Sequence, residues 1–423
     1  MPEYFKNLGY ETHIVGKWHI GYSSLKYTPT CRGFDSFLGF YTGPIDYYSH
    51  FMNYSGCNGL DFWKNTTPMT SGNGNYVTTL FTERAKSIIK NRNKAQPLLL
   101  YLAHQAPHTK GGPEPLQAPA KNAAKFSYIG DHYRTIYAGM VDALAQSVGA
   151  VLEALEAALM LDDTIIVFSS DNGAAIFDSA TVNLGSNWPL RGAKSTLWEG
   201  RVRSAAFMWT RRLFPHRRVS HQLMHITDWL PTLYSAAGGD VNDLGSLDGL
   251  DMWEALNVGT PSPRTEILLN INQARSNAAF RYRGFKLLVG DLSKANERYE
   301  RIGGSRPCED LDVLLRQSRA AAALRRIYNQ DVFKHGGCWR NEATVKCQGI
   351  SNSNFVSGRS YYLYDITNDP CELHDISQER PRLVAMLMDK LAAYNKTVAP
   401  PVDTTIDPRG YSEYNGGTWA PWM

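Results

Sequence analysis

The chain has 423 residues, a formal net charge of +4, 43% hydrophobic residues and 20% charged residues. That composition excludes a disordered or fibrous chain and predicts a core too large for one small domain. The charge is too mild, and Lys and Arg too dispersed, for a nucleic-acid binder, and no run of about 18 apolar residues predicts a membrane span. The cysteines Cys31, Cys57, Cys308, Cys338, Cys347 and Cys371 have no zinc-site spacing. Their even number, with glycosylation sequons at Asn53, Asn65 and Asn395, points to a secretory protein with disulfides. Cys338 and Cys347 could close a short loop, but spacing alone does not set connectivity.

In chain order, residues 2–8 read as the tail of a helix ended by Gly9, and residues 12–15 as a short buried strand. Apolar residues at helical spacing predict a helix over 76–91. The continuous apolar run at 97–103 predicts a central parallel strand. Residues 131–160 carry one apolar stripe and predict a long helix. Strands at 164–169 and 204–209 and a helix at 221–237 follow. Strands alternating with helices imply a mostly parallel α/β sheet, with ligands beyond the C-terminal strand ends. After about residue 275 the pattern becomes antiparallel strands (278–289 and 361–366) with one covering helix (379–394). The expected domains are therefore 1–275 and 276–423, the second holding an irregular Gly- and Arg-rich insertion at about 291–357.

Three features carry chemistry. Lys17 and His19 follow a strand end two residues apart, so they share a side and can hold an anionic group and move a proton. His104 and His108 follow the strand at 97–103. Asp171 and Asn172 follow the strand at 164–169 and offer two hard oxygen ligands, suited to calcium or magnesium.

The string Gly9-Tyr-Glu-Thr-His-Ile-Val-Gly-Lys-Trp-His resembles the second signature of the sulfatase family. Resemblance continues in Arg32-Gly-Phe-Asp, Leu100-Tyr-Leu-Ala-His-Gln-Ala-Pro-His, Phe168-Ser-Ser-Asp-Asn-Gly, Asn187-Trp-Pro-Leu-Arg-Gly-Ala-Lys, His225-Ile-Thr-Asp and Leu363-Tyr-Asp-Ile-Thr-Asn-Asp-Pro-Cys-Glu. The ending Gly-Thr-Trp-Ala-Pro-Trp-Met is similar to that of the animal arylsulfatase B, I and J group. The resemblance implies an alkaline phosphatase-like fold, a large mixed, mostly parallel sheet flanked by helices, with a small C-terminal antiparallel sheet plus helix. It implies a sulfuric ester hydrolase acting on sulfate esters, with sulfated glycosaminoglycan sugars as the expected substrates. By register, Lys17, His19, His108 and Lys194 are the catalytic residues, and Lys17, Lys194 and His108 contact substrate; His104 ranks second to His108. Asp171 and Asn172 are calcium ligands, while Glu199, Gly200 and Arg203 support the loop of Lys194. The loops at 41–75 and 175–187, which would shape the pocket, match no motif.

The family attacks sulfur with formylglycine, made from the cysteine of Cys-x-Pro-Ser-Arg by a formylglycine-generating enzyme. None of the six cysteines has that context. The Asp162-Asp163 pair lies between a helix and a strand and reads as a turn rather than as the family's paired metal ligands. The expectation is that one N-terminal segment is missing, with signal peptide, first strand, two metal ligands, an arginine and the nucleophile together. The full-length form would then be lysosomal or extracellular, and this chain inactive with calcium weakly held or absent. The alternative is a real truncated product that binds sulfated glycans or partners without hydrolysis.

Overall fold

A computed structural model describes residues 1–112, 114–176, 184–213, 218–290, 292, 311–328, 338–347, 353–400 and 405–423. The chain forms two compact units, one of Met1–Thr164, Gly304–His335 and Thr404–Met423, the other of Ile165–Gly303 and Gly336–Asp403.

The first unit holds strands β1 (Glu11–Lys17), β2 (Ser36–Phe40), β3 (Phe51–Tyr54), β4 (Cys57–Leu60), β5 (Trp63–Lys64), β6 (Thr67–Pro68) and β7 (Leu98–Ala103). Five of these form a mixed sheet in the order β6-β5-β2-β1-β7, with β1 parallel to both β2 and β7, while β3 and β4 form a separate hairpin. Residues Thr12 to Gly16 are all buried, as expected of a strand with neighbours on both edges and both faces covered. Val15, Leu38 and Phe40 pack with Val77, Phe81 and Ile88 of helix Val77–Asn91 and Met140 of helix His132–Ala157. The latter helix starts at Asp131, whose carboxylate accepts from Arg134 N–H at 2.8 Å. By length and composition it is apolar enough to cross a membrane. Here its Met140, Ala150, Leu152 and Leu155 are buried. Helix Arg319–Tyr328 lies along it, tied by the Arg319–Glu153 pair and by Arg326–Glu156 at 2.7 Å.

Two expectations change here. The strand at 98–103 is not central: among the described residues β7 pairs with β1 alone, and Tyr101 is half exposed. None of its six residues is buried, so an apolar run by itself sets neither burial nor edge pairing. The stretch at 291–357, expected to be irregular, contains helices Leu311–Gln317, Arg319–Tyr328 and Cys338–Ala343; much of the remainder lies outside the described residues.

The second unit holds β8 (Ile166–Ser169), β9 (Ala206–Trp209), β10 (Glu266–Asn272), β11 (Asn277–Tyr282), β12 (Phe285–Val289) and β13 (Tyr361–Asp365). Strands β8 and β9 are only partly buried and pair antiparallel with each other, not as buried parallel strands. Strands β10 to β13 form an antiparallel sheet in sequence order. Alternation gives that sheet two apolar faces. Phe280, Leu287 and Leu363 meet Val384, Leu387 and Leu391 of helix Pro381–Asn395, while Ala279, Leu288, Tyr362 and Tyr364 meet Leu197 and Trp198. The helix expected at 221–237 is shorter. A capping box between His225 and Asp228 begins a 3-10 turn, followed by helix Trp229–Ala236. Cys347 pairs with Cys371, Cα–Cα 5.9 Å, so the short loop to Cys338 is not closed.

A buried ammonium group lies in this second core. Lys286 is fully buried, with Nζ 3.0 Å from Glu199 and 2.8 Å from Glu372, both also buried. Burial pushes the Glu372 carboxyl up to about 7 despite Lys286. For Glu199 burial also opposes ionisation, but Lys286 and Arg281 outweigh it and hold the group below the usual range. The Glu372 carboxylate further accepts from Glu199 N–H at 2.7 Å, and Arg191 donates to the Glu372 carbonyl at 3.2 Å. The Arg191 guanidinium lies against the rings of Trp198 and Phe355, at 3.8 and 3.9 Å.

Two substitutions test these packings. Gly16 has φ +120°, and a Cβ there would be driven into the Ala103 carbonyl. Gly16→Ala should cost at least about 2 kcal/mol in urea unfolding, since both backbone strain and a β1–β7 clash are imposed; an unchanged midpoint would contradict this packing. Lys286→Met should cost about 3–5 kcal/mol by leaving two buried carboxylates short of their cation. Adding Glu372→Gln should recover part of that loss; a double variant no more stable than the single one counts against the cluster.

Candidate functional site

In the first unit the β1–β7 register places Gly16 opposite Ala103. Lys17 and His19 therefore leave the sheet at the same end as His104 and His108, beyond the C-terminal ends of parallel strands. His19 adopts φ +50° and donates its N–H to the Tyr41 carbonyl at 3.1 Å. Its exposed ring rests over Gly43, where a Cβ would come within 3.2 Å of Cε1. The turn beneath is held by buried Asp61, which accepts from Tyr41 N–H at 3.0 Å, Thr42 N–H at 2.8 Å and the Trp63 indole at 2.8 Å. Lys17, half-buried, ends β1 opposite Phe40.

The two later histidines have different surroundings. His108 Nδ1 donates to the Thr109 carbonyl at 2.7 Å, which places a ring proton on Nδ1 and fixes the ring's orientation. The backbone of His108 is pinned by Gln105 O at 2.8 Å and by the Tyr47 hydroxyl at 2.8 Å. His104 instead faces the core, Nε2 3.0 Å from Ser147 Oγ and its ring 6.1 Å from that of Phe81. Burial pushes its pKa down to about 4.

In the second unit Asp171 is exposed and Asn172 half-buried, just past the end of β8. Ser170 Oγ donates to the Asn172 carbonyl at 2.9 Å, and Gly173 N–H to Arg201 O at 2.9 Å. Asn187 then bridges Ala174 and Gly192: its Oδ1 accepts from Ala174 N–H at 2.7 Å, and its Nδ2 donates to both carbonyls at 3.1 Å. Lys194 N–H closes the set on Ala174 O at 3.0 Å. The Asp171–Asn172 turn and the Lys194 loop are thus one bonded piece, and Glu199 anchors that loop to Lys286. Part of the 175–187 loop lies outside the described residues.

Asp171 and Asn172 supply two of the roughly six to eight oxygens calcium takes. No group of three His, Cys, Asp or Glu side chains able to hold an ion occurs among the described residues. These two residues do not by themselves make a calcium site. Asn53, Asn65 and Asn395 are all exposed. Two supporting residues escaped the sequence reading, Asp61 and Lys286, and Glu372 was legible only as the last residue of a motif string, without its role. For Lys286 a signal existed, since a charge interrupting the apolar strand Phe285–Val289 needs a buried partner or an open edge.

The His104 environment predicts acid sensitivity. Its folded pKa of about 4 lies below the ordinary 6.5, so the unfolded chain binds a proton that the folded chain refuses. Stability present above pH 6.5 is lost as pH falls towards 4, by up to about 3 kcal/mol. His104→Gln should flatten the fall in urea midpoint between pH 7 and pH 4.5; an unaltered slope would assign the sensitivity elsewhere.

Residues 1–239 match the Sulfatase family model. Arylsulfatase J of Mus musculus is 33% identical over 446 residues, covering 100% of this chain and 66% of that protein. N-acetylgalactosamine-6-sulfatase of Canis lupus familiaris is 32% identical over 305 residues, covering 70% of this chain and 53% of that protein. The chain thus spans about half to two-thirds of the length of these curated relatives. The crystal structure of Ps i-CgsB in complex with k-i-k-neocarrahexaose matches in fold, with TM-score 0.68 and 24% identity, over 93% of this chain and 73% of that one. On a match that covers more than half its length, this chain belongs to the sulfatase family.

Proposed function

We propose that the chain belongs to a sulfuric ester hydrolase that acts on sulfated sugars. The observation that carries this is the parallel β1–β7 register, which brings Lys17, His19 and His108 out at one sheet end. The names of the relatives, a galactosamine sulfatase among them, support a sulfated sugar as substrate.

In this reading the ammonium group of Lys17 neutralises sulfuryl oxygens of the ester, and Lys194 is assigned the same role by the family resemblance alone. His108 protonates the leaving oxygen through Nε2, its Nδ1–H being fixed on Thr109. His19 takes and returns a proton on the nucleophile's side. Calcium and formylglycine, where present, would supply charge stabilisation and the nucleophile, and Asp171 and Asn172 would be part of the calcium shell. A formylglycine-generating enzyme is the partner of a form that carries formylglycine, and the secretory pathway, lysosomal or extracellular, is its place. The exposed sequon asparagines and the Cys347–Cys371 bond accord with that compartment.

No Cys-x-Pro-Ser-Arg occurs in this sequence, so the chain as given should release no product from p-nitrocatechol sulfate with calcium. Turnover proportional to pure protein would overturn that assignment. In a longer form carrying the motif, His108→Ala should lower kcat by about 10²–10⁴-fold on a poor leaving group, and by less on a good one. An unchanged rate would remove His108 from the leaving-group role.

A further inference from the structure

The C-terminal segment of the first unit builds a pocket of about 450 Å3, lined by Pro408, Arg409, Tyr414, Asn415 and Trp422. Trp422 and Asn415 are held by hydrogen bonds, while the side chains of Arg409 and Tyr414 stand largely exposed at its rim. The Trp422 indole N–H donates to Asp407 at 3.0 Å and its backbone N–H to Ser23 O at 3.0 Å. The ring lies on Gly410, where a Cβ would come within 3.1 Å of it, and meets the Tyr22 ring edge-on at 5.5 Å. Arg409 forks onto the same Asp407 through Nε at 3.0 Å and Nη2 at 2.7 Å. Among the described residues its Nη1 has no partner, and the side chain is 68% exposed. Asn415 donates through Nδ2 to the carbonyls of Arg409 and Tyr411, at 2.7 and 2.9 Å, and among the described residues its Oδ1 accepts no hydrogen bond. Tyr414 is 67% exposed.

This set has a definite complementarity. Two aromatic rings offer faces for the C–H surface of a sugar ring. One guanidinium N–H edge meets a sulfate or carboxylate oxygen, and one amide oxygen accepts a hydroxyl. Asp407 offsets the charge of Arg409, so a free inorganic anion gains little here and ring contact must supply most of the affinity. The pocket and the turn carrying His19 share one packed support through the buried Tyr41. Trp422 touches Tyr22; Tyr22 stacks on Tyr41 at 5.6 Å; and the Tyr41 carbonyl accepts from His19 N–H.

We propose that this pocket is a saccharide subsite, which takes a ring of a sulfated glycan next to the ring bearing the ester. The inference rests on the sulfated-sugar reading above and extends it to residues 407–422. It makes Tyr414, Trp422 and Arg409 determinants of which glycan is held.

The test is a tryptophan-fluorescence titration of the full chain with a chondroitin sulfate tetrasaccharide and, separately, with inorganic sulfate. Circular dichroism confirms that each variant is folded. Tyr414→Ala and Arg409→Gln, both at exposed side chains, should each raise the tetrasaccharide Kd about tenfold and leave sulfate binding unchanged. Wild-type affinity in both variants, or no saturable tetrasaccharide binding by the wild type, overturns the subsite. Lys17→Ala separates the two readings. If it weakens binding of both ligands while Tyr414→Ala and Arg409→Gln change nothing, the subsite fails and the ester site stands. If the reverse holds, the pocket stands and the ester-site assignment of Lys17 fails.

Discussion

The second unit depends on a buried ammonium group. Lys286 sits on β12 with no exposure to solvent and satisfies two carboxylates from distant parts of the chain, Glu199 and Glu372. An isolated charge at that depth would cost far more than a fold of this size can offset, so the three residues are tolerated only together. Their joint presence explains why the loop of Lys194 can be irregular yet placed. Glu199 begins the helical turn behind that loop, and the Glu372 carboxylate caps the Glu199 N–H. Arg191, held between Trp198 and Phe355, ties the front of the same loop to the Glu372 carbonyl. A charged core therefore does the positioning that a regular helix or strand does elsewhere.

The first unit positions its residues by different means. There a parallel register and a buried carboxylate, Asp61, set the exit of β1 and the turn on which the His19 ring rests. Two histidines follow β7 four residues apart, and their neighbours separate them chemically. His104 is turned into the core against Ser147 and Phe81, where burial keeps it neutral. His108 keeps one nitrogen engaged by the Thr109 carbonyl.

Much of this fold was legible in the chain. The helices Val77–Asn91, His132–Ala157 and Pro381–Asn395 lie close to their expected spans because amphipathic spacing over several turns is a strong signal. The family match agrees with the motif strings around Lys17, Asp171 and Lys194. Strand partnership was less legible. Leu98–Ala103 is as apolar as a central strand yet pairs on one edge, and β8 and β9 pair antiparallel although nothing in their composition gives direction. The hidden supports were harder still. Glu372 and Lys286 are 86 positions apart and become partners only when β12 and β13 pair. Of the candidate site, the residues that would touch a ligand announced themselves by motif, whereas those that hold them are defined only by three-dimensional contact.

The long sequence separation within the Lys286 cluster also sets an order of events during synthesis. A nascent chain that has emerged as far as residue 203 has made the whole Lys194 loop but none of its anchor. Lys286 follows 83 positions later and Glu372 a further 86, next to the Cys371 half of a disulfide. Until then Glu199 remains a hydrated carboxylate on an unanchored loop. At ordinary elongation rates of about 5–20 residues per second, that interval lasts roughly ten to thirty seconds. The loop of Lys194 thus gains its Lys286 and Glu372 anchors only after both later segments have been made.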